Sequence, residues 1–187
     1  MERRGECSWI ALQVSLVIGT VVFFLAMLAI NEWVFSQSEF VRGINWVFLP
    51  AGARLLCILL FGGAGALGVL VASWIASFYY FFPDDFIRAF AGGVLGTAAP
   101  YTVYLIARQV FGLRLSLANL TTRHLLICIV GYAAASATLH HVWFALQGNM
   151  NEFFQGLAVM FVGDLIGTLI VIYVLKAMLG WLMPRRR

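Results

Sequence analysis

The sequence predicts an all-α, polytopic membrane helix bundle of about six transmembrane helices, with the N-terminus and C-terminus both cytoplasmic. Three observations lead there. Of 187 residues, 63% are hydrophobic and 11% charged, whereas a water-soluble domain holds about 25% charged and about 45–50% apolar residues. The apolar residues fall in runs near the roughly 20 residues that cross a hydrocarbon core. The basic residues gather in alternate connections, as membrane insertion requires. No polar segment approaches the roughly 50 residues of an independent soluble domain, so residues 1–187 read as a single membrane domain.

The first span is expected over about 9–30. It is longer than the apolar region of a signal peptide, and Asn31-Glu32-Trp33 follows it without a small-x-small cleavage site. The next apolar region, Ile44 to Phe82, is too long for one helix. Gly62-Gly63-Ala64-Gly65 divides it into helices at about 44–61 and 66–82. Pro83-Asp84-Asp85 makes a turn, with Asp85 placed to cap a fourth helix at 86–107. Thr121 or Thr122 can cap a fifth at 124–146, and a sixth runs over 153–179. Pro50 belongs to the first turn of a helix. The regular part of the second helix can therefore begin there, preceded by an extended or re-entrant Trp46–Leu49. Pro100, inside the fourth helix, predicts a kink or local break.

Charge placement sets the expected orientation. Arg3, Arg4, Arg108, Arg114, Arg123, Lys176, Arg185, Arg186 and Arg187 fall on one side, nine of the twelve basic residues. Arg42 and Arg88 fall on the other, with Glu32, Glu39, Asp84, Asp85 and Glu152. Short basic loops stay in the cytoplasm, so both ends are placed there. The basicity serves insertion, and no nucleic-acid partner is expected; the partner that composition demands is the lipid bilayer.

Two ionisable residues lie inside spans, Arg54 and Asp164. An unpaired charge at the bilayer centre costs at least about 2.5–3.5 kcal/mol. Both helices run inward, and at 1.5 Å per residue the two sit at similar depth, about 15 Å from the outer end. A direct ion pair between them is therefore expected. Either it marks a ligand or proton site, or it simply fixes helix packing. If helix two begins at Pro50, Arg54 becomes a rim residue of an outward-facing cavity.

Gly163-x-x-x-Gly167 and Gly92-x-x-x-Gly96 are small-xxx-small pairs that predict close helix packing. The first brackets Asp164, with Thr168 one turn on. In helix five, Gly131, Ala134, Ala135, Thr138 and His141 share a stripe, which is expected to turn His141 inward. Adjacent His140 and His141 point about 100° apart, and no ligand spacing such as HExxH is present; no metal is expected. Cys7, Cys57 and Cys128 have no CxxC spacing and read as small apolar residues. No nucleophile–base, phosphate-loop or paired-acid arrangement is present, so neither an enzyme nor a cofactor is expected.

Trp46-Val47-Phe48-Leu49-Pro50-Ala51-Gly52 resembles the Trp…Pro-Ala-Gly opening of bacterial MASE1-type membrane sensor domains. Gly163-Asp164-x-x-Gly167 is similar to their closing pattern. The resemblance covers about residues 44–176 and implies a sensory or ligand-binding module of the bacterial inner membrane. In that family such modules precede signalling output domains. This chain is shorter and carries none, so a membrane or cytoplasmic signalling partner is implied. The function expected is a sensor-like module with a small anionic ligand near Arg54, Asp164, Trp46, Thr168 and His141. A substrate-binding subunit of a multi-component transporter and a ligand-free assembly protein are the alternatives. Composition gives no oligomeric state.

Overall fold

The computed structural model describes residues 2–113, 120–148 and 153–182. The side chains of Arg3, Arg4 and Cys7, together with Arg114, Glu152 and the basic end Arg185–Arg187, lie outside the described part. Six α-helices are present: α1 Glu2–Val34, α2 Leu49–Phe61, α3 Gly63–Ala76, α4 Phe86–Phe111, α5 Thr122–Leu146 and α6 Phe153–Leu182. Five segments are long and apolar enough to cross a membrane, including Gly63–Phe81, where α3 continues as a π-helical turn Ser77–Phe81. The exception is α2, whose 13 residues reach only about 20 Å.

What directly precedes α2 is not helical. A small antiparallel hairpin, β1 Glu39–Val41 and β2 Ile44–Asn45, leads into an extended segment that descends to Phe48. The expectation that regular helix begins near Pro50 holds: α2 starts at Leu49, with Pro50 in its first turn. The expected span 44–61 is thus corrected to extended chain followed by a short helix. Backbone outside a helix is tolerated at membrane depth only where protein covers it and supplies hydrogen bonds. Here the Trp46 N–H donates to the Ser38 carbonyl (2.8 Å) and the Phe48 N–H to the Gly163 carbonyl (3.1 Å). The Leu49 N–H donates to Asn31 Oδ1 at 2.8 Å, so buried Asn31 of α1 caps a helix from another part of the chain.

The glycines of α6 receive this segment. A Cβ on Gly163 would strike the Asn45 carbonyl, and one on Gly167 would strike the Phe48 carbonyl. The Gly163/Gly167 pair therefore packs closely, as expected, but against extended backbone rather than another helix. Gly62 makes the sharp turn from α2 to α3 at φ 57°, a left-handed conformation that favours glycine.

Contacts fix the directions of the helices. Val17 and Thr20 of α1 meet Gly68 of α3, while Glu32 meets Tyr80, so α1 and α3 run parallel. Phe111 stacks on His124 at 4.3 Å and His141 meets Phe153 at 5.5 Å, so α4, α5 and α6 alternate. Gly52 lies on Thr168 and Val171, so α2 runs with α6. The start of α1 and the end of α6 share one face. The hairpin, the Pro83–Asp85 turn and the α5–α6 connection share the other, here called the hairpin face. Ten of the thirteen residues of α2 are buried, and it packs on α1, α3, α4 and α6, which makes it the bundle's axis.

Two caps match expectation: Asp85 Oδ1 accepts from the Arg88 N–H at 2.9 Å, and Thr121 Oγ1 from the His124 N–H at 3.2 Å. Pro100 does not break α4, which is continuous from Phe86 to Phe111 with Pro100 buried inside it. Neighbouring helices tolerate such a proline by covering it.

Seating Gly167 on bare backbone leads to a test. Gly167→Ala should destabilise the purified protein by about 1–3 kcal/mol, the usual cost of overpacking. Gly180→Ala, where a Cβ meets nothing within 4 Å, should not. Thermal unfolding in detergent compares them; equal midpoints would contradict the close seating.

Candidate functional site

Because α2 starts at depth, Arg54 falls in its second turn, in the middle of the bundle, and is only 7% exposed. Its guanidinium carbon lies 5.3 Å from the ring centroids of both Phe24 and Phe48. On another side it lies against Gly96 of α4, where a Cβ would meet the guanidinium carbon at 3.1 Å. A side chain there would press on the guanidinium. The Gly92/Gly96 pair thus serves close packing as expected, with Ser77 over Gly92 and the arginine over Gly96.

The expected Arg54–Asp164 ion pair is not formed. Among the described residues the ion pair within 4.0 Å is Arg42–Glu39, at 3.9 Å on the surface. Asp164 and Arg54 are within electrostatic reach but not in contact. The late start of α2 explains the separation: Asn45 already meets Gly163 and Gly52 meets Thr168 and Val171, so Arg54 lies deeper than Asp164, against Gly96 of α4. Asp164 keeps company with Ser136 of α5, and Tyr132 lies within reach of both Ser136 and Arg54. Thr168 lies one turn below Asp164. The five residues form a buried polar cluster, with Arg54 at its edge. Arg54 Nε, Tyr132 Oη, Ser136 Oγ, Asp164 Oδ2 and Thr168 Oγ1 all lack hydrogen-bond partners among the described residues. Buried polar atoms of this kind are ordinarily satisfied by water or ligand.

Above the cluster a narrow cavity of about 50 Å³ opens toward the hairpin face. Arg54 lies at its base. Arg42, Arg88 and His140 line it with Phe48, Phe81, Phe82, Trp143 and Phe144, and among the described residues no carboxylate is in the lining. Arg88, Trp143 and Phe144 also border a wider recess of about 270 Å³ that includes Asp85 and Gln147. Arg88 lies 4.3 Å over the Phe82 ring and 5.4 Å from that of Phe144. Arg42 donates to the Tyr80 carbonyl at 2.7 Å, and the Tyr80 hydroxyl donates to Glu32 at 2.5 Å. These two bonds tie the hairpin to α3 and α1.

Of the five residues expected around a ligand, only Arg54 borders the cavity. Asp164 and Thr168 belong to the enclosed cluster behind it. Trp46 is 46% exposed and faces away. His141 is buried as expected but sits between α5 and α6, on Gly156 and Phe153. The stripe expected to carry it inward is corrected: Gly131, Ala134 and Thr138 face outward, while Cys128, Ile129, Tyr132, Ala133, Ser136, Ala137 and His140 line the buried face. His140 is the histidine of the cavity. Its Nδ1–H donates to the Ser136 carbonyl at 2.9 Å, a role fixed because a carbonyl only accepts. Among the described residues no group of three or more His, Cys, Asp or Glu side chains could hold a metal. No protein-family model, curated protein or solved structure matches the chain.

Sharing one buried cluster, Arg54 and Asp164 should be energetically coupled. Arg54→Ala and Asp164→Ala should each destabilise, and the double variant should lose less than the sum, by about 0.5–3 kcal/mol, the range for residues of one network. Unfolding midpoints of the four proteins measure this; strict additivity would separate the two residues.

Proposed function

We propose that this chain is a ligand-binding, sensor-like module of the bacterial inner membrane. The mouth of its cavity faces outward, both ends are cytoplasmic, and it acts with a partner protein. The observation that carries the proposal is Arg54. A buried arginine without a contacting carboxylate is costly, and this one borders a cavity lined by two further arginines and, among the described residues, no acid. An anionic ligand offsets that cost directly. The resemblance of residues 44–52 and 163–167 to MASE1-type domains agrees with a sensory role. The basic residues on the α4–α5 side and at the ends agree with the orientation.

A transport-subunit reading has one observation in its favour: α2 begins at membrane depth, and discontinuous helices near the midplane are how many transporters build their sites. Uptake of the bound molecule into sealed vesicles by the chain and its partner would select that reading. Binding without uptake selects the sensor.

Native mass spectrometry of protein extracted from its own membranes tests the proposal. A small mass retained by the wild type and lost in Arg54→Ala is expected. A wild-type chain carrying lipid alone would overturn it. A periplasm-dependent reporter should be active when fused after Gly148 and inactive at the C-terminus; the reverse pattern would invert the orientation.

A further inference from the structure

We infer that the cavity takes a tetrahedral oxyanion, a phosphoryl or sulfuryl group, held by Arg54 of α2 and Arg88 of α4 together. The inference rests on the ligand-binding reading above and names its chemistry. Both arginines border the same cavity, and the Nε atoms of both are buried without a hydrogen-bond partner. Each guanidinium is flanked by two aromatic rings, Phe24 and Phe48 for Arg54 and Phe82 and Phe144 for Arg88. Rings held against a guanidinium leave its edge to bind. The Nε–H with one Nη–H forms a fork that accepts two oxygens of one anion.

Competing carboxylates are engaged elsewhere. Glu39 meets Arg42 and accepts from the Gly43 N–H at 3.2 Å. Asp85 caps α4. Asp164 is not part of the lining. Arg42 at the mouth is met by Glu39, which leaves the two charges of Arg54 and Arg88 facing no acid among the described lining residues and favours a divalent anion over a monovalent one. Shape points the same way. A planar carboxylate has two oxygens and satisfies one fork, while a tetrahedral group has oxygen pairs for two. A single water needs about 10–15 Å³, so a cavity of about 50 Å³ admits a small compact group and excludes a large one. The group can belong to a free ion or to a lipid head, since the cavity opens at the end of the bundle.

The test uses the full chain in nanodiscs of neutral lipid, probed by thermal unfolding and calorimetry at constant ionic strength. Inorganic phosphate and sulfate should stabilise the wild type, and acetate and chloride should not. Arg88→Gln should weaken phosphate binding by roughly tenfold or more, the worth of a charge-assisted hydrogen bond. Arg88→Lys should fail to restore it, because a point charge lacks the fork. Arg123→Gln, at the exposed start of α5, should leave binding unchanged. Stabilisation by phosphatidic acid in the nanodisc, but not by free phosphate, would also support the site and assign it to a lipid head. Equal effects of acetate and phosphate, with Arg88→Gln silent, would overturn the inference. If a small mass that depends on Arg54 is still retained while no oxyanion binds, the oxyanion assignment falls and the ligand-binding reading stands. If nothing binds, both fall.

Discussion

A backbone that leaves the helix inside a membrane must find every hydrogen bond in neighbouring protein, because lipid offers none. The segment Ile44–Phe48 meets that demand in three directions. Ser38 accepts from Trp46, Gly163 accepts from Phe48, and Asn31 accepts from Leu49. Each partner lies on a different element, so the 3-10 turn Ser36–Ser38 before the hairpin, α1 and α6 are all committed to one place. Gly163 and Gly167 follow from the same demand, since any side chain there would push the segment away from the carbonyl that satisfies it. The short central α2 then follows, because the extended chain has already covered part of the distance across the bilayer.

Starting α2 at depth also decides the fate of the two intramembrane charges. Had α2 begun at Ile44, Arg54 would have sat level with Asp164; Asn45 already meets Gly163 and Gly52 meets Thr168 and Val171, so the Arg54 backbone lies deeper than Asp164. The side chain is turned toward Gly96 and the cavity, between two phenylalanine rings. The bundle interior is thereby divided. One part is a closed cluster of hydroxyls around Asp164. The other is a cationic cavity that opens at the hairpin face. Arg54 touches both, so occupancy of the cavity and the state of the cluster are linked through a single side chain. A module that senses a ligand needs a coupling of that kind.

Much of the architecture was legible in the residues. Pro50 marked the true start of α2, Asp85 and Thr121 marked two helix starts, and Gly62 marked the turn between α2 and α3. The faces of the helices were not legible. In water, an amphipathic stripe tells the buried side from the exposed one, but lipid is as apolar as the protein interior. The stripe on α5 was therefore displaced, placing Gly131 and Thr138 inward where Tyr132, Ser136 and His140 belong. Asn31 and Arg88 were missed for a related reason: their partners lie on other helices, and sequence spacing does not say which helices are neighbours. Arg88 read as one more charge outside the membrane until Phe82 and Phe144 were seen to hold it over the cavity.

The central claim is that extended chain carries Arg54 to the base of a cavity reached from the hairpin face. Cysteine accessibility tests it most directly. In a background with Cys7, Cys57 and Cys128 replaced, Arg54→Cys removes the guanidinium and widens the cavity. Ile58→Cys lies one turn deeper and is fully buried. In intact cells a small, membrane-impermeant, anionic thiol reagent should label Arg54→Cys and leave Ile58→Cys untouched. Protection of both positions in a correctly folded protein would mean that no cavity reaches Arg54, and the account would be wrong.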